Sequence, residues 1–329
     1  MKFSKLSQLA LVSAIGLIVA TLLTSCELVT IDFVYVAASA GASAGSAGQI
    51  YGYATDAQSG AIRSAVTPIS SGGTSPVAMA MTSDFLNVYV ANQGNNTVVH
   101  FTVADTGDLT PKDTITLPNT PVSIAVNSAN TYLYVVSGAS SATLTEYALG
   151  SGTIGSVTSS QPLTLTAYPT DTILSTGVVV LANNNAVYVT AYDKSAYNPG
   201  GTPFKTGNEP NAITIDPRGI YMYVTNSLDN SVSEYSISLP TGTPSTIVSS
   251  VAGSGNTTDT DPVSIAVEPS LGRYVYTANR LGNSISGFKL NPDTGALSSN
   301  LATPYPTGAL PMAVIAVPHG NHATQSVTP

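Results

Sequence analysis

The sequence predicts an all-β protein, a β-propeller of four-stranded antiparallel blades. Three observations predict it: a composition suited to short strands, a strand–turn–strand motif that recurs along the chain, and incomplete repeats at the two ends that complete one another. Charged residues are 9% of the 329, against roughly 25% in an ordinary soluble domain. Thr, Ser, Val, Asn, Gly and Tyr recur throughout. β-Branched and aromatic runs broken by Gly, Pro, Asn and Asp are the mark of many short strands.

The motif has three close copies: Val88-Tyr89-Val90-Ala91-Asn92-Gln93-Gly94-Asn95-Asn96-Thr97-Val98, and the segments running from Met222 to Val232 and from Val275 to Ile285. Each reads as a strand, a turn bounded by asparagines, and Asn-Ser/Thr-Val/Ile opening the next strand. Weaker copies begin at Tyr35-Val36, Tyr134-Val135 and Tyr188-Val189. Upstream lies Pro-x-Ala/Ser followed by an aliphatic residue, at Pro76, Pro121, Pro210, Pro262 and Pro311. Downstream lies a turn ending in Gly and an aliphatic residue, as in Ser59-Gly60-Ala61-Ile62, Thr106-Gly107-Asp108-Leu109 and Thr294-Gly295-Ala296-Leu297. Four antiparallel strands in a unit of about 40–50 residues describe a propeller blade.

The long gap between Pro121 and Pro210 holds a hidden unit that Pro169 would open, so six blades are favoured, with seven as the alternative. The last unit has one strand, Pro311 to Val317. The N-terminus supplies the other three, at Phe33–Ala37, Ile50–Ala54 and near Ala65-Val66, with Ala37 to Gly48 as a long loop inside that blade. Such sharing removes the exposed sheet edges of an open array.

Residues 1–26 read as an address. Lys2 and Lys5 precede an apolar stretch from Leu9 to Leu23, and Leu23-Thr24-Ser25-Cys26 looks like a bacterial lipobox. Cys26 is the only cysteine, so it forms no internal disulfide; lipidation explains its place. Glu27 rather than Asp follows it, so the inner-membrane retention signal is not evident. The expected organisation is a signal peptide over 1–26, one propeller over 27–318 and a disordered tail over 319–329. The expected setting is the cell envelope, with the membrane as a partner through the lipid at Cys26. A net charge of −8 with only ten Lys and Arg gives no basic stripe for nucleic acid. A monomer is expected.

The Tyr-Val-x-Asn-x-x-x-Asn-Ser/Thr-Val/Ile pattern resembles the YVTN repeat of bacterial surface and secreted propellers. These shade into the lactonase-type family that includes 6-phosphogluconolactonase-like proteins. The resemblance spans residues 31 to 318. It implies lactone hydrolysis with His and Arg on the funnel, His often standing just before a first strand. Here those slots hold Ser75, Thr120, Tyr168, Glu209, Asp261 and Leu310.

If the first strand of each blade lines the channel, the turns between strands 2 and 3 share a face with the connections that enter each first strand. That face would carry Asn92, Gln93, Asn226, Asp229, Asn279 and Arg280 as ligand-binding residues. It would also carry Glu209, Asp259 and Asp261, with Asp193 and Lys194 near the irregular blade. Glu209, Arg280 and Asp261 are the catalytic candidates, since hydrolysis needs a base and a donor for the developing oxyanion. The competing reading makes Asn92, Asn96, Asn226, Asn230, Asn279 and Asn283 turn formers that bond their own backbone. His100, aligned with Tyr235 and Phe288, is expected to pack inside its blade, and His319 and His322 fall in the tail. Arg218 and Arg273 fall in turns on the opposite face. No Gly-x-Ser-x-Gly elbow, phosphate-binding loop or His pair is present. No cofactor is expected, beyond a divalent cation that clustered oxygens at the channel mouth could hold. The leading expectation is a non-catalytic envelope propeller binding a small ligand or a protein partner. A lactonase-like hydrolase and a structural adhesion protein are the alternatives.

Overall fold

The computed structural model describes residues 30–39, 47–138, 142–162, 171–175, 178–183, 186–191, 200–238, 243–246, 256–300 and 303–320. The signal segment, Cys26, Pro169, Tyr168, Asp193, Lys194 and His322 lie outside them. The described strands form six antiparallel sheets. Blade 1 opens with Pro76–Met81, blade 2 with Pro121–Val126, blade 3 with Asp171–Ser175, blade 4 with Pro210–Ile215 and blade 5 with Pro262–Val267. The closing blade takes its first strand from Pro311–Pro318 and its other three from Thr30–Ser39, Ala47–Asp56 and Ile62–Thr74. The six first strands touch their neighbours in a closed ring. The two chain ends therefore share a blade, as the incomplete repeats predict.

Two details differ from the sequence expectation. The first strand of blade 3 begins at Asp171, and Tyr188-Val189 lies in the third strand of that blade, Ala186–Ala191. Its second strand is Val178–Asn183, which keeps the terminal Ala-Asn of the motif but has lost the tyrosine. His319, placed in the tail by the sequence reading, is bonded to the fold: its N–H donates to the Ile31 carbonyl at 2.8 Å, and its ring lies 5.1 Å from that of Phe33.

Burial peaks at the second strand of a blade and falls outward from there. The second strands Asn87–Asn92, Tyr221–Asn226 and Tyr274–Asn279 are buried at every position, because a neighbouring blade covers each face. Hence their apolar character on both faces. The fourth strands, such as Leu109–Thr116 and Thr153–Pro162, are mostly exposed and rich in Ser and Thr. The apolar clusters lie between blades; one joins the closing blade to blade 1 and another joins it to blade 5.

A single contact links the two strongest repeats across these seams. The hydroxyl of the motif tyrosine donates to a glycine carbonyl in the strand 3–4 turn of the next blade. The pairs are Tyr35 to Gly107 at 2.6 Å, Tyr89 to Gly152 at 2.5 Å, Tyr223 to Gly295 at 2.8 Å and Tyr276 to Gly60 at 2.7 Å. Burial raises the pKa of all four phenols, which stay neutral donors. Each glycine has a positive φ, between 68° and 85°. A Cβ there would also strike the residue two before the tyrosine, as Gly295 would meet Tyr221 at 2.4 Å. Turn geometry and close approach both demand glycine.

The closing seam carries a buried acid pair. Asp32, in the chain's first described strand, is hydrogen-bonded to Glu268 at the end of the first strand of blade 5, and neither is exposed. Glu268 accepts the N–H groups of Leu271 at 2.9 Å and Arg273 at 2.7 Å, and Ser270 Oγ donates to Asp32 at 2.5 Å. Burial, and then the charge of Glu268, push the Asp32 pKa well above the usual carboxylate range.

Two outcomes are expected. Tyr223→Phe should cost about 1–3 kcal/mol in urea unfolding, because it leaves the Gly295 carbonyl buried without its donor; Gly295→Val should cost more. The Asp32 pKa is raised by folding, so the stability it contributes is full below the unfolded carboxyl value, about 4, and is lost as pH rises toward the folded value. Thermal midpoints should fall as pH rises above about 4, and Asp32→Asn should flatten that slope.

Candidate functional site

The strand 2–3 turns and the connections into each first strand do share a face. The backbone N–H groups of Gln93, Ser227 and Arg280 donate to the carbonyls of Ser75, Glu209 and Asp261 at 2.8–2.9 Å. What the side chains do there differs from the expectation.

Asn92, Asn226 and Asn279 close their second strands and are buried. Asn226 Nδ2 donates to Ser231 Oγ at 3.1 Å and Ser233 Oγ at 2.9 Å, and its Oδ1 accepts the Gly207 N–H at 3.0 Å. Asn279 Nδ2 donates to Ser284 and Ser286 at 3.0 and 2.9 Å. Asn92 accepts from Ser71 Oγ at 2.7 Å and donates to the Ser71 carbonyl at 3.2 Å. Asn226 and Ser231 are directly opposed across the hairpin, as are Asn279 and Ser284. The spacing of Asn and Ser/Thr in the motif is thus a cross-strand hydrogen-bonding pair. These three are neither ligand groups facing solvent nor left-handed turn residues. The left-handed role belongs to Asn96, Asn230 and Asn283, with φ of 53°, 49° and 49°. Asn230 and Asn283 also accept the N–H of Asp261 and Leu310 in the connection to the next blade, both at 2.8 Å.

The acidic residues are engaged as well. Asp229 accepts from the backbone and side-chain nitrogens of Asn208 at 2.7 and 2.8 Å. Asp259 accepts from Ser284 Oγ and the Thr260 N–H, both at 2.7 Å, and the Ser284 bond leads in holding its pKa below the usual value. Arg280 Nε donates to Asp261 at 2.6 Å; the arginine side chain is 43% exposed and the aspartate 9%. Gln93 and Glu209 are exposed. Ser75, Glu209, Asp261 and Leu310, each just before a first strand, have φ of 49° to 63°. The slot where the family resemblance implies His is therefore a repeated left-handed backbone position whose side chain varies. Among the described residues no three His, Cys, Asp or Glu side chains converge to hold a metal ion.

His100 packs inside blade 1 as expected, with Nδ1 2.5 Å from Asp113 and Nε2 2.8 Å from Asn87. Its alignment moves by one residue: His100 stands opposite Tyr89 as Glu234 stands opposite Tyr223, and Phe101 is the residue that matches Tyr235 and Phe288. Arg218 does lie in a strand 1–2 turn, bonded to Asp216 at 2.9 Å and to the Pro292 carbonyl of the next blade at 2.7 Å.

The cavity lies elsewhere. About 470 Å³ of the central channel is open, lined by the first strands of blades 1, 2, 4 and 5 and of the closing blade. At one end it reaches the strand 1–2 turns, including Thr82, Ser83, Asn127 and Ser128. At the other it stops at Val77, Val122, Asn211 and Val263, each the residue after a blade's opening proline. None of the expected site residues lines it; Glu209 and Asp261 sit two residues outside its second end. Among the described lining residues none is ionisable. This lining was missed in the sequence; the residue after the opening proline of blades 1, 2, 4 and 5 is half-buried.

The sequence matches the family described as "Lactonase, 7-bladed beta-propeller" over residues 33–311. The chain belongs to that family. Its described strands make six sheets where the family description names seven. No curated protein matches the sequence. Among solved structures it is similar to a candidate 6-phosphogluconolactonase of Bacteroides uniformis, with a TM-score of 0.64 and 15% identity over 88% of this chain and 100% of that one. The periplasmic gluconolactonase of Pseudomonas aeruginosa gives 0.61 and 14%, covering 88% and 99%. A chain of the nidogen–laminin complex gives 0.60 and 11%, covering 87% and 99%. Likeness at these identities shows the propeller fold alone.

In this lactonase-family propeller Asn226→Ala should cost about 1–3 kcal/mol, since it strands Ser231, Ser233 and the Gly207 N–H. Gln93→Ala on the same face should leave the urea midpoint unchanged. An equal loss in both variants would contradict the structural role given to Asn226.

Proposed function

We propose that this propeller is a lactone hydrolase that binds its substrate in the central channel. The observation that carries the reading is the family match, which spans nearly the whole propeller. The channel supports it: its 470 Å³ fall within the roughly 300–1,000 Å³ of small-molecule sites. In the reaction, water adds to the lactone carbonyl and the ring C–O bond breaks. A base takes the water proton, and the former ring oxygen leaves as a hydroxyl, giving the hydroxy acid. Glu209 is the base on this reading, with Arg280 as the donor to the developing oxyanion. Glu209 stands at the entrance to the first strand of blade 4, and Arg280, in the strand 2–3 turn of blade 5, is bonded to Asp261 at the entrance to that blade's first strand.

A specific observation favours a second reading, a propeller that binds a ligand without converting it. Arg280 is already paired with Asp261, and the recurring asparagines of the repeat are engaged inside the fold. The lipobox at Cys26 and the periplasmic setting of the P. aeruginosa gluconolactonase support an exported, envelope-anchored protein on either reading.

Purified residues 27–329 should hydrolyse at least one member of a lactone panel, with and without Ca²⁺ or Mg²⁺. Glu209→Gln should lower kcat by about 10²–10⁴-fold, and Arg280→Ala should lower it with the fold intact. Binding without turnover across the panel would establish the second reading instead.

A further inference from the structure

The channel also carries information about the kind of lactone. Its described lining holds half-buried aliphatic side chains from four blades: Val77, Met81, Val122, Val126, Ile215 and Val263. Several of its polar residues are already engaged within the fold. Ser264 Oγ accepts the Val314 N–H at 3.0 Å. Thr82 Oγ1 donates to Asp84 at 2.5 Å and accepts the Asn87 N–H at 3.1 Å. Ser83 Oγ donates to the Ser128 carbonyl at 3.0 Å, and Asn127 Oδ1 accepts the N–H groups of Thr131 and Tyr132, both at 2.9 Å.

A sugar lactone brings several hydroxyls, and each one buried without a partner is penalised. A phosphorylated lactone brings two negative charges to a chain of net charge −8, where no described lining residue is cationic. Phosphate sites need Arg, Lys or a cluster of backbone N–H groups aimed at the anion. An aliphatic substituent gains with each methylene taken from water.

Resting on the hydrolase reading above, we propose that the channel selects an uncharged lactone bearing an aliphatic chain, with the chain lying along the first strands. Selection by the channel is separable from turnover, because Val77, Val122 and Val263 are half-buried and none of them is a catalytic candidate.

The test uses residues 27–329 and four probes: δ-octalactone, δ-decalactone, glucono-δ-lactone and 6-phosphoglucono-δ-lactone. Hydrolysis is followed over the uncatalysed rate, and binding by calorimetry. The expected result is the highest kcat/KM for δ-decalactone, about tenfold above δ-octalactone for two added methylenes. Val263→Lys should remove most of that preference, and Val77→Lys serves if the first variant loses its thermal transition. Faster turnover of either sugar lactone would overturn the chain-binding inference and leave the hydrolase reading intact. Tight binding of δ-decalactone with no turnover would uphold the channel's selectivity and retire the hydrolase reading. Neither binding nor turnover of the two alkyl lactones by folded protein would overturn the inference.

Discussion

The hydrogen bond from a buried tyrosine hydroxyl to a glycine carbonyl in the next blade is the contact on which the rest of the structure depends. A blade alone buries one layer of side chains poorly; sandwiched between two neighbours, its second strand is buried on both faces. An apolar seam can slide, because the hydrophobic effect is non-directional. The phenol fixes it. The tyrosine ring fills the seam while its hydroxyl reaches one carbonyl, and that carbonyl is presented by a left-handed glycine too close to its neighbours for any Cβ. Two repeats that lie tens of residues apart in sequence are therefore halves of one interaction.

Registered blades set the channel. The turn-capping residue after each first strand is polar in every described case (Thr82, Asn127, Asp216 and Glu268), and each accepts backbone N–H groups of its own strand 1–2 turn. These caps hold the first strands parallel to the axis and leave aliphatic residues to face the void. The same economy of polar groups operates on the opposite face. There the asparagines, Asp229 and Asp259 tie turns to hairpins and connections. The polar character of that face is largely structural, and the described lining of the channel is neutral. The proposed placement of substrate in the channel rests on that contrast, with Glu209 and the Arg280–Asp261 pair outside its end.

The fold was legible because its constraints are local and repeated. Pro76, Pro121, Pro210, Pro262 and Pro311 each open a first strand, and the shared blade followed from counting strands at the two ends. Blade 3 was less legible because its second strand, Val178–Asn183, lacks the tyrosine that marks the others. The site was legible only as a face. Asn226 and Glu209 look alike in sequence, each a polar residue at a strand end, yet one is buried against two serines and the other is exposed. Periodicity locates a residue on an element; it does not say whether a hydroxyl five residues on will accept its amide. The positive φ before Pro76, Pro210, Pro262 and Pro311 was invisible for the same reason, since Ser, Glu, Asp and Leu occupy that slot. The acid pair of Asp32 and Glu268 joins residues from opposite ends of the chain, and no local pattern announces it.

Closure of the ring by strands from both termini is tested most directly by a disulfide placed across them. Ala37 and Ala313 are paired in register in adjacent antiparallel strands of the closing blade, and both are buried. In residues 27–329, which contain no other cysteine, Ala37→Cys with Ala313→Cys should oxidise to one intramolecular bond, read as a single cross-linked peptide by mass spectrometry. Two free thiols in oxidised, folded protein, or cross-linking only between molecules, would contradict the shared blade and with it the closed ring that shapes the channel.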